Sequence, residues 1–197
     1  MIFDKLKQHR KIIENFSYLS VLQILSLITP LITYPYLVKT LGEVMYGTVV
    51  FAQAVVTYFN ILVVFGFNFT AAKEVSIHRD NPKKLSEIIS AVTIIKTLFL
   101  ILSLLLISCY MFYTSKMDYS LYYLSFWICI NEILFPTWFF QGIEEMKYIT
   151  FINFGIRILF IGMIFVFIKS PDDYLFFPLL NGIGSLLAGI ISFSLLY

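Results

Sequence analysis

The chain has 197 residues, of which 59% are hydrophobic, 18% aromatic and only 13% charged, and its formal net charge is +2. Soluble domains carry about 25% charged residues, and a soluble fold of this length could not bury so much apolar surface. The mean hydropathy of +0.86 therefore excludes an ordinary soluble domain and indicates a protein embedded in a lipid bilayer. The positions of the charged residues along the chain are informative, whereas their sum is not.

Residues 1–14 alternate apolar side chains with basic ones, including Lys5, Lys7, Arg10 and Lys11. The apolar run that follows is too long for a cleavable signal peptide and shows no clean small-residue cleavage site. The alternation predicts a short amphipathic helix that lies on an anionic leaflet. We expect this interfacial segment to lead directly into the first membrane span.

Six apolar runs of membrane-spanning length fill residues 15–197. A helix needs about 20 apolar residues to cross the hydrocarbon core. The runs are Phe16–Leu37, Gly47–Phe69, Ile88–Tyr110, Leu121–Phe140, Ile149–Ile168 and Leu175–Tyr197. They predict an all-α polytopic membrane protein in which one bundle of six transmembrane helices occupies residues 15–197.

Basic residues are divided unequally between the two sets of loops. Nine of the fourteen precede the first span, lie between the second and third, or precede the fifth, and three lie in the alternate loops: Lys39, Lys116 and Lys169. Because cytoplasmic loops are enriched in Lys and Arg, both ends of the bundle are predicted to be cytoplasmic. The last run has no basic residues after it, so we expect the chain to be a fragment of a longer protein.

Three charged residues lie well inside the apolar runs: Lys96, Glu132 and Arg157. A charge at such depth is disfavoured by about 2.5–3.5 kcal/mol and normally faces the bundle interior or an aqueous cavity. Each lies eight residues from the predicted cytoplasmic edge of its run, which corresponds to one layer ~12 Å deep. We predict that Glu132 lies within salt-bridge reach of Arg157 or Lys96, either as a purely structural pair or beside a polar cavity.

Neutral polar residues also follow helical spacing. Gln53, Thr57 and Asn60 share a face of the second run, and Asn153 lies one turn from Arg157 in the fifth. Such residues either hydrogen-bond between helices, at ~0.6 kcal/mol each, or line a cavity. The small residues of the fifth and last runs are predicted to serve close helix packing instead. They are Gly155, Gly162, Gly182, Ser185, Gly189 and Ser192.

The string PTWFFQGIEEMKYIT (Pro136–Thr150) resembles the O-antigen flippases, the Wzx-type polysaccharide transporters of the MOP superfamily. Two further stretches carry the same resemblance: LITYPYLVKTLGEVMYGTVVFAQAVVTYF and VFGFNFTAAKEVSIHRDNPKKLSEI. The likeness extends over essentially the whole chain in the same order. Members have two pseudo-symmetric lobes. The resemblance therefore implies the N-terminal lobe of a two-lobed, MATE-like flippase, which would require the missing C-terminal lobe to function.

The resemblance also implies a substrate, an undecaprenyl-pyrophosphate-linked oligosaccharide such as an O-antigen or capsule repeat unit, moved across the bacterial inner membrane by alternating access. Lys96 and Arg157 would attract its anionic head, and Gln53, Asn60 and Asn153 would exchange hydrogen bonds with its sugar hydroxyls. The expected partners are this lipid-linked oligosaccharide and membrane lipids. Neither a cofactor, a metal, a nucleic acid nor a catalytic residue is expected.

Several alternatives stay open. Within the superfamily these are a lipid II flippase or a multidrug exporter, and a nonfunctional fragment is a further possibility. A membrane-embedded glycosyltransferase or polymerase is disfavoured, since such enzymes generally need acidic or histidine residues at a membrane face. His9 and His78 lie in predicted cytoplasmic segments, and Glu144 and Glu145 stand beside Lys147, as expected for a solvated helix end.

Overall fold

The computed structural model describes the backbone of residues 2–114 and 118–196, and the side chains of residues 13–114, 118–192 and 194. All regular structure within these ranges is helical. Helices satisfy their own backbone hydrogen bonds, which the interior of a bilayer demands. The described part of the chain contains six helical segments long and apolar enough to cross a membrane. The predicted all-α, multi-pass architecture is thus confirmed.

The six candidate spans are Ile13–Leu41, Glu43–Ile77, Pro82–Tyr113, Tyr119–Gly142, Met146–Phe167 and Pro171–Ser192. They are built from the following helices of the described backbone: α1 (Ile2–Leu41), α2 (Glu43–Val64), α3 (Phe67–Ile77), α4 (Pro82–Tyr113), α5 (Tyr119–Ser125), α6 (Trp127–Leu134), α7 (Thr137–Gly142), α8 (Met146–Phe167) and α9 (Phe176–Leu196). A 3-10 helix, Pro171–Leu175, precedes α9.

Two of the spans are interrupted inside the predicted runs. Between α2 and α3, Phe65 and Gly66 take left-handed backbone angles, with φ of 33° and 77°. Between α6 and α7, Pro136 removes a backbone donor and disfavours helix at the residue before it. Pro30 and Pro35, in contrast, lie inside α1 without ending it.

The loop between the second and third spans ends in a well-formed helix cap. Asn81 accepts a hydrogen bond from the backbone N–H of Lys84 at 3.2 Å, and Pro82 is the first residue of α4. Both features stabilise a helix start. The sequence punctuation HRDNPKK therefore marks a true break between the second and third spans.

The helices pack around two apolar clusters. The first includes Leu37, Val56 and Ile164, and the second includes Val75 and Trp138. Helix α1 contacts α8, and α9 contacts both α6 and α8. These four helices surround the site described below.

The close helix packing predicted at the small residues is found at some of them and not at others. A Cβ added at Gly182 would collide with the ring of Trp127, and one at Gly189 would collide with Leu134, so both glycines allow α9 to approach α6 closely. The prediction for Gly155 and Gly162 was wrong, because nothing lies within 4 Å of a Cβ at either position. Both are exposed on α8.

The interfacial segment predicted over residues 1–14 stays a prediction. The backbone of α1 runs through it without a break from Ile2 to Leu41. The side chains that would make it amphipathic lie, up to residue 12, outside the described side chains. Lys116, one of the three basic residues assigned to the periplasmic loops, also lies outside the described residues.

Candidate functional site

A cleft of about 370 Å³ lies among α1, α6, α8 and α9. All four helices contribute polar side chains to it, although each helix is predominantly apolar. The polar lining consists of Ser26 and Thr29 of α1, Asn131 of α6, Asn153 and Arg157 of α8, and Asn181 and Ser185 of α9. Such a concentration of amide and hydroxyl groups at mid-span provides hydrogen-bonding partners for a polar ligand.

A second recess, also about 370 Å³, adjoins the first and extends it toward α2. Gln53, Asn60 and Glu132 line the second recess. The two recesses share six residues of their walls: Thr29, Pro30, Asn131, Phe160, Asn181 and Ser185. We call the combined surface the polar cleft.

Arg157 is the cation of the polar cleft. Its Nη1 donates a long hydrogen bond of 3.5 Å to Oγ1 of Thr29, while the Thr29 hydroxyl donates to the carbonyl of Leu25 at 2.8 Å. Within the described side chains, no carboxylate lies within 4.0 Å of the guanidinium. A guanidinium carries five N–H donors, so the contact with Thr29 leaves most of them without a partner among the described residues.

Lys96 has a different environment, although it lies at a similar predicted depth. Its side chain is 1% exposed, and its Nζ donates to Oδ1 of Asn68 at 3.2 Å and to the carbonyl of Glu132 at 3.3 Å. Nζ also lies 3.4 Å from Oε2 of Glu132, which confirms the predicted ion pair. An ammonium has three donors, so these contacts occupy its full capacity.

Of the ion pair formed by Lys96 and Glu132, only Glu132 lines the polar cleft. Glu132 is 25% exposed and lines the cleft, whereas Lys96 lines neither recess. The assignment of Lys96 to substrate binding stays a prediction, and its burial favours an indirect role. Because Lys96 and Glu132 neutralise each other, Arg157 determines the charge of the cleft.

The structure brings most of the predicted site residues together. Arg157 and Asn153 line the first recess, and Gln53 and Asn60 line the second. The amide oxygen of Asn60 is buried and has no hydrogen-bond partner among the described residues. A buried polar atom of this kind normally has a partner, and here the cleft offers room for one from a ligand.

Several polar residues of the cleft were missed by the sequence analysis, and one was misassigned. Thr29, Asn131 and Asn181 were not singled out, although Asn131 directly precedes Glu132. Ser185 was predicted to serve packing, but it lines both recesses. Its Oγ donates to the carbonyl of Asn181 at 3.0 Å, one turn earlier on α9. An asparagine inside an apolar run itself indicates a position that faces other helices or a cavity and not lipid, since an unpaired amide in lipid is unfavourable.

The acidic pair at the start of α8 belongs to helix-end ion pairs. Oε2 of Glu145 lies 2.8 Å from Nζ of Lys147, and Oε2 of Glu144 lies 3.3 Å from Nη1 of Arg79. Asn15 of α1 also donates to the backbone carbonyl of Glu144 at 3.1 Å. These contacts support the prediction of a solvated helix end rather than a catalytic dyad.

Comparison with known proteins gives two kinds of match. A family model described as "Polysaccharide biosynthesis protein" matches residues 12–197. A protein of Escherichia coli (strain K12) named "Putative O-antigen transporter" is 29% identical over 185 residues, which cover 92% of this chain and 44% of the relative. A protein of Shigella dysenteriae with the same name is 28% identical over 166 residues, which cover 83% of this chain and 41% of the relative.

The chain thus spans less than half the length of the curated relatives it matches. No solved structure matches it.

Proposed function

The chain belongs to the polysaccharide biosynthesis protein family, and we propose that it forms part of a flippase for an undecaprenyl-pyrophosphate-linked oligosaccharide. It would lie in the bacterial inner membrane with its N-terminus in the cytoplasm. The relatives named as O-antigen transporters support the transport role. The lipid-linked substrate and the alternating-access mechanism are what the resemblance to the O-antigen flippases implies, and the polar side chains of the cleft support a substrate that carries an anion and sugars.

The observation that carries this proposal is that Arg157 has no carboxylate partner among the described side chains. A cation at mid-span without a carboxylate partner is unfavourable in a static bundle. It becomes favourable when an anion occupies the cleft, because a guanidinium binds phosphate oxygens through paired hydrogen bonds. We assign the pyrophosphate of the substrate to Arg157.

The neutral side chains of the cleft would bind the sugars. Asn131, Asn153 and Asn181 surround the first recess, and Gln53 and Asn60 extend the polar lining into the second. Amides both donate and accept hydrogen bonds, as sugar hydroxyls do. Many weak neutral contacts suit a transporter, since a substrate held too tightly would not leave.

The ion pair of Lys96 and Glu132 would keep the cleft selective for anions. If Glu132 were free, its carboxylate would repel a pyrophosphate in the same cleft. Held 3.4 Å from Lys96, it is largely neutralised. Lys96 would thus act on the substrate through Glu132 and not by direct contact.

A C-terminal lobe would form the opposite wall of the transport route, as in other transporters built from repeats. The chain covers 44% of the length of its Escherichia coli relative, which leaves room for a second lobe of similar size. The experiment that tests the proposal therefore uses the full-length protein that contains this chain.

Export of surface polysaccharide in a flippase-deficient strain tests the proposed role. Arg157→Ala is expected to abolish complementation at unchanged membrane abundance on immunoblots, and Arg157→Lys to retain part of it, because a point charge persists. Lys169→Ala is the matched control, since Lys169 is exposed and lies outside the polar cleft. Full export by Arg157→Ala would refute the proposal.

A further inference from the structure

The second and fourth spans are each divided in two, and both divisions follow the residues that line the polar cleft. The second span breaks at Phe65 and Gly66, and the fourth breaks at Phe135 and Pro136. Every cleft residue of these two spans lies before the break of its span, apart from Phe135, which stands at the break itself. The helices that follow the breaks, α3 and α7, therefore take no part in the cleft.

The helices α3 and α7 pack on each other more extensively than on any other helix. Gly142 at the end of α7 makes this contact close, because a Cβ there would lie 2.5 Å from Cγ1 of Val75 and 2.7 Å from the carbonyl oxygen of Ala72. Just beyond the two helices, Nη1 of Arg79 lies 3.3 Å from Oε2 of Glu144. We call α3 and α7 together the α3–α7 unit.

The parts of each divided span before and after its break pack into different apolar clusters. Val56 of α2 and Cys129 of α6 belong to the first cluster. Val75 of α3 and Trp138 of α7 belong to the second. Helices α4 and α8, which have no break, contribute to both clusters. A segment that packs separately and is joined to the rest at helix breaks can turn as one body.

The backbone at the first break is strained. Phe65 has a φ of 33°, in the left-handed region that an L-residue with a bulky side chain rarely adopts. Residues held in such conformations cluster at switch regions, where strain allows two arrangements of the chain. At the second break, Pro136 has no N–H to continue the helix. Both breaks thus allow rotation without the loss of an intact helical turn.

One side chain bridges the α3–α7 unit and the rest of the bundle. Lys96 lies on α4, and its Nζ donates to Oδ1 of Asn68 in α3 at 3.2 Å. The same Nζ contacts Glu132 of α6, with its carbonyl at 3.3 Å and its Oε2 at 3.4 Å. Among the described side chains, the bond between Asn68 and Lys96 is the one hydrogen bond that joins α3 to another helix. Lys96 therefore holds the start of α3 against α6.

We propose that the α3–α7 unit is a hinged segment at the predicted cytoplasmic ends of the second and fourth spans, and that Lys96 is its latch. The unit turns about Phe65–Gly66 and Phe135–Pro136, while α2, α6 and the cleft residues they carry keep their positions. Such a motion opens or closes the predicted cytoplasmic end of the bundle without rearranging the polar cleft. The device goes beyond the proposed function, because it does not depend on which substrate the cleft takes.

Distances between pairs of spin labels in the full-length protein measure this motion. The protein is placed in nanodiscs after its native cysteines are replaced by alanine, and the distances are obtained by double electron–electron resonance. Labels on Tyr58 of α2 and Ile77 of α3, both exposed, report across the first break. Labels on Tyr58 and Gln141 of α7 report on the other half of the unit. Labels on Tyr58 and Tyr123 of α5 lie before the breaks and form the control pair.

Releasing the latch tests the role of Lys96. Asn68→Leu removes the contact of Lys96 with α3 and leaves the pair of Lys96 and Glu132 in place. We expect a second distance, displaced by about 5 Å, in the pairs from position 58 to 77 and to 141, and no change in the control pair. Thr70→Val is the matched control, because the Thr70 hydroxyl donates only to the carbonyl of Gly66. It should give the wild-type distances.

The hinge is tested separately from the latch. Gly66→Ala and Gly162→Ala add the same methyl group at positions where nothing lies within 4 Å of a Cβ. Of the two, only Gly66 has a left-handed backbone, with a φ of 77°, so that only this substitution disfavours the bent form of the second span. We expect Gly66→Ala to move population away from the wild-type distance between positions 58 and 77. Gly162→Ala should leave that distance unchanged.

Three results would overturn the proposal. Wild-type distances between positions 58 and 77 in both Asn68→Leu and Gly66→Ala would show that the first break is rigid. A displacement of position 77 without one of position 141 would show that α3 and α7 do not form one unit. A change in the control pair would show that the whole bundle loosens. None of these results involves Arg157, so the proposed function stands or fails independently.

Discussion

Glu132 pairs with Lys96 and not with Arg157. Its Oε2 lies 3.4 Å from Nζ of Lys96, whereas the guanidinium of Arg157 contacts the hydroxyl of Thr29. The three charges were predicted to form one layer, and the rotation of their helices divides them into a neutral pair and a separate cation. That division gives the polar cleft a net positive charge.

The ion pair should stabilise the fold only when both partners are present. Removing one member of a buried pair costs about 3–5 kcal/mol, because it leaves an uncompensated charge. We therefore expect Glu132→Leu to lower the melting temperature of the purified full-length protein strongly. The double variant Lys96→Met/Glu132→Leu should recover most of the loss, since replacing both partners by apolar groups is often nearly neutral. A double variant as unstable as the single one would contradict this.

How the charges would be divided could not be predicted from the sequence. The cost of burying a charge predicted that Glu132 would pair. The choice between Lys96 and Arg157 depends on the rotation of α4, α6 and α8 about their own axes, which helical periodicity within one run does not determine. Asn131 and Glu132 are adjacent in sequence, and both line the cleft. This placement also depends on how α6 is rotated in the bundle.

The breaks inside the spans also could be predicted only in part from the sequence. Hydropathy predicted six spans because length and composition suffice for that, and Pro136 offered a reason for one break. The break at Phe65 and Gly66 had a weaker signal, since phenylalanine rarely takes a left-handed conformation. Tertiary packing of α3 against α7 accompanies this break, and a single-helix pattern does not reveal it.

Asn60 should matter for substrate binding but not for stability. Its buried amide oxygen has no partner to lose within the described residues, so Asn60→Leu should leave the melting temperature nearly unchanged. Loss of a neutral hydrogen bond to a sugar hydroxyl, about 0.5–1.5 kcal/mol, should weaken affinity for the lipid-linked oligosaccharide by about two- to tenfold.

Thr57 provides the control for Asn60. It was predicted to share a face with Gln53 and Asn60, but it is exposed and lies outside the polar cleft. Its hydroxyl donates only to the carbonyl of Gln53 at 2.8 Å. Thr57→Val should keep wild-type affinity for the lipid-linked oligosaccharide in the same equilibrium binding assay. An equal loss of affinity in Asn60→Leu and Thr57→Val would show that the effect does not come from a specific contact of Asn60.

Gly182 and Gly162 should respond oppositely to the same substitution. A side chain at Gly182 would overlap the indole of Trp127, and overpacking of this kind costs about 1–3 kcal/mol. Gly162 has open space around it, and replacing a helical glycine gains up to about 1 kcal/mol of helix propensity. Thermal unfolding of Gly182→Leu and Gly162→Leu measures both effects. Equal destabilisation would contradict the close contact between α6 and α9.

The predicted orientation is tested by alkaline phosphatase fusions, which are active only in the periplasm. Lys83 lies in the first turn of the third span, at its predicted cytoplasmic end, and Lys169 lies between the fifth and sixth spans. The unequal distribution of basic residues predicts that a fusion after Lys83 is inactive and a fusion after Lys169 is active. The reverse pattern would place the N-terminus in the periplasm.

The most direct measurement is equilibrium binding of undecaprenyl pyrophosphate to the purified full-length protein in nanodiscs. A charge-assisted hydrogen bond contributes about 1.5–3 kcal/mol, so Arg157→Ala should weaken binding by roughly 10- to 100-fold. Undecaprenol, which has the same chain without the anion, should bind weakly and equally to the wild type and to Arg157→Ala. Equal affinity of the two proteins for undecaprenyl pyrophosphate would show that the free guanidinium of the cleft does not receive the substrate's anionic head.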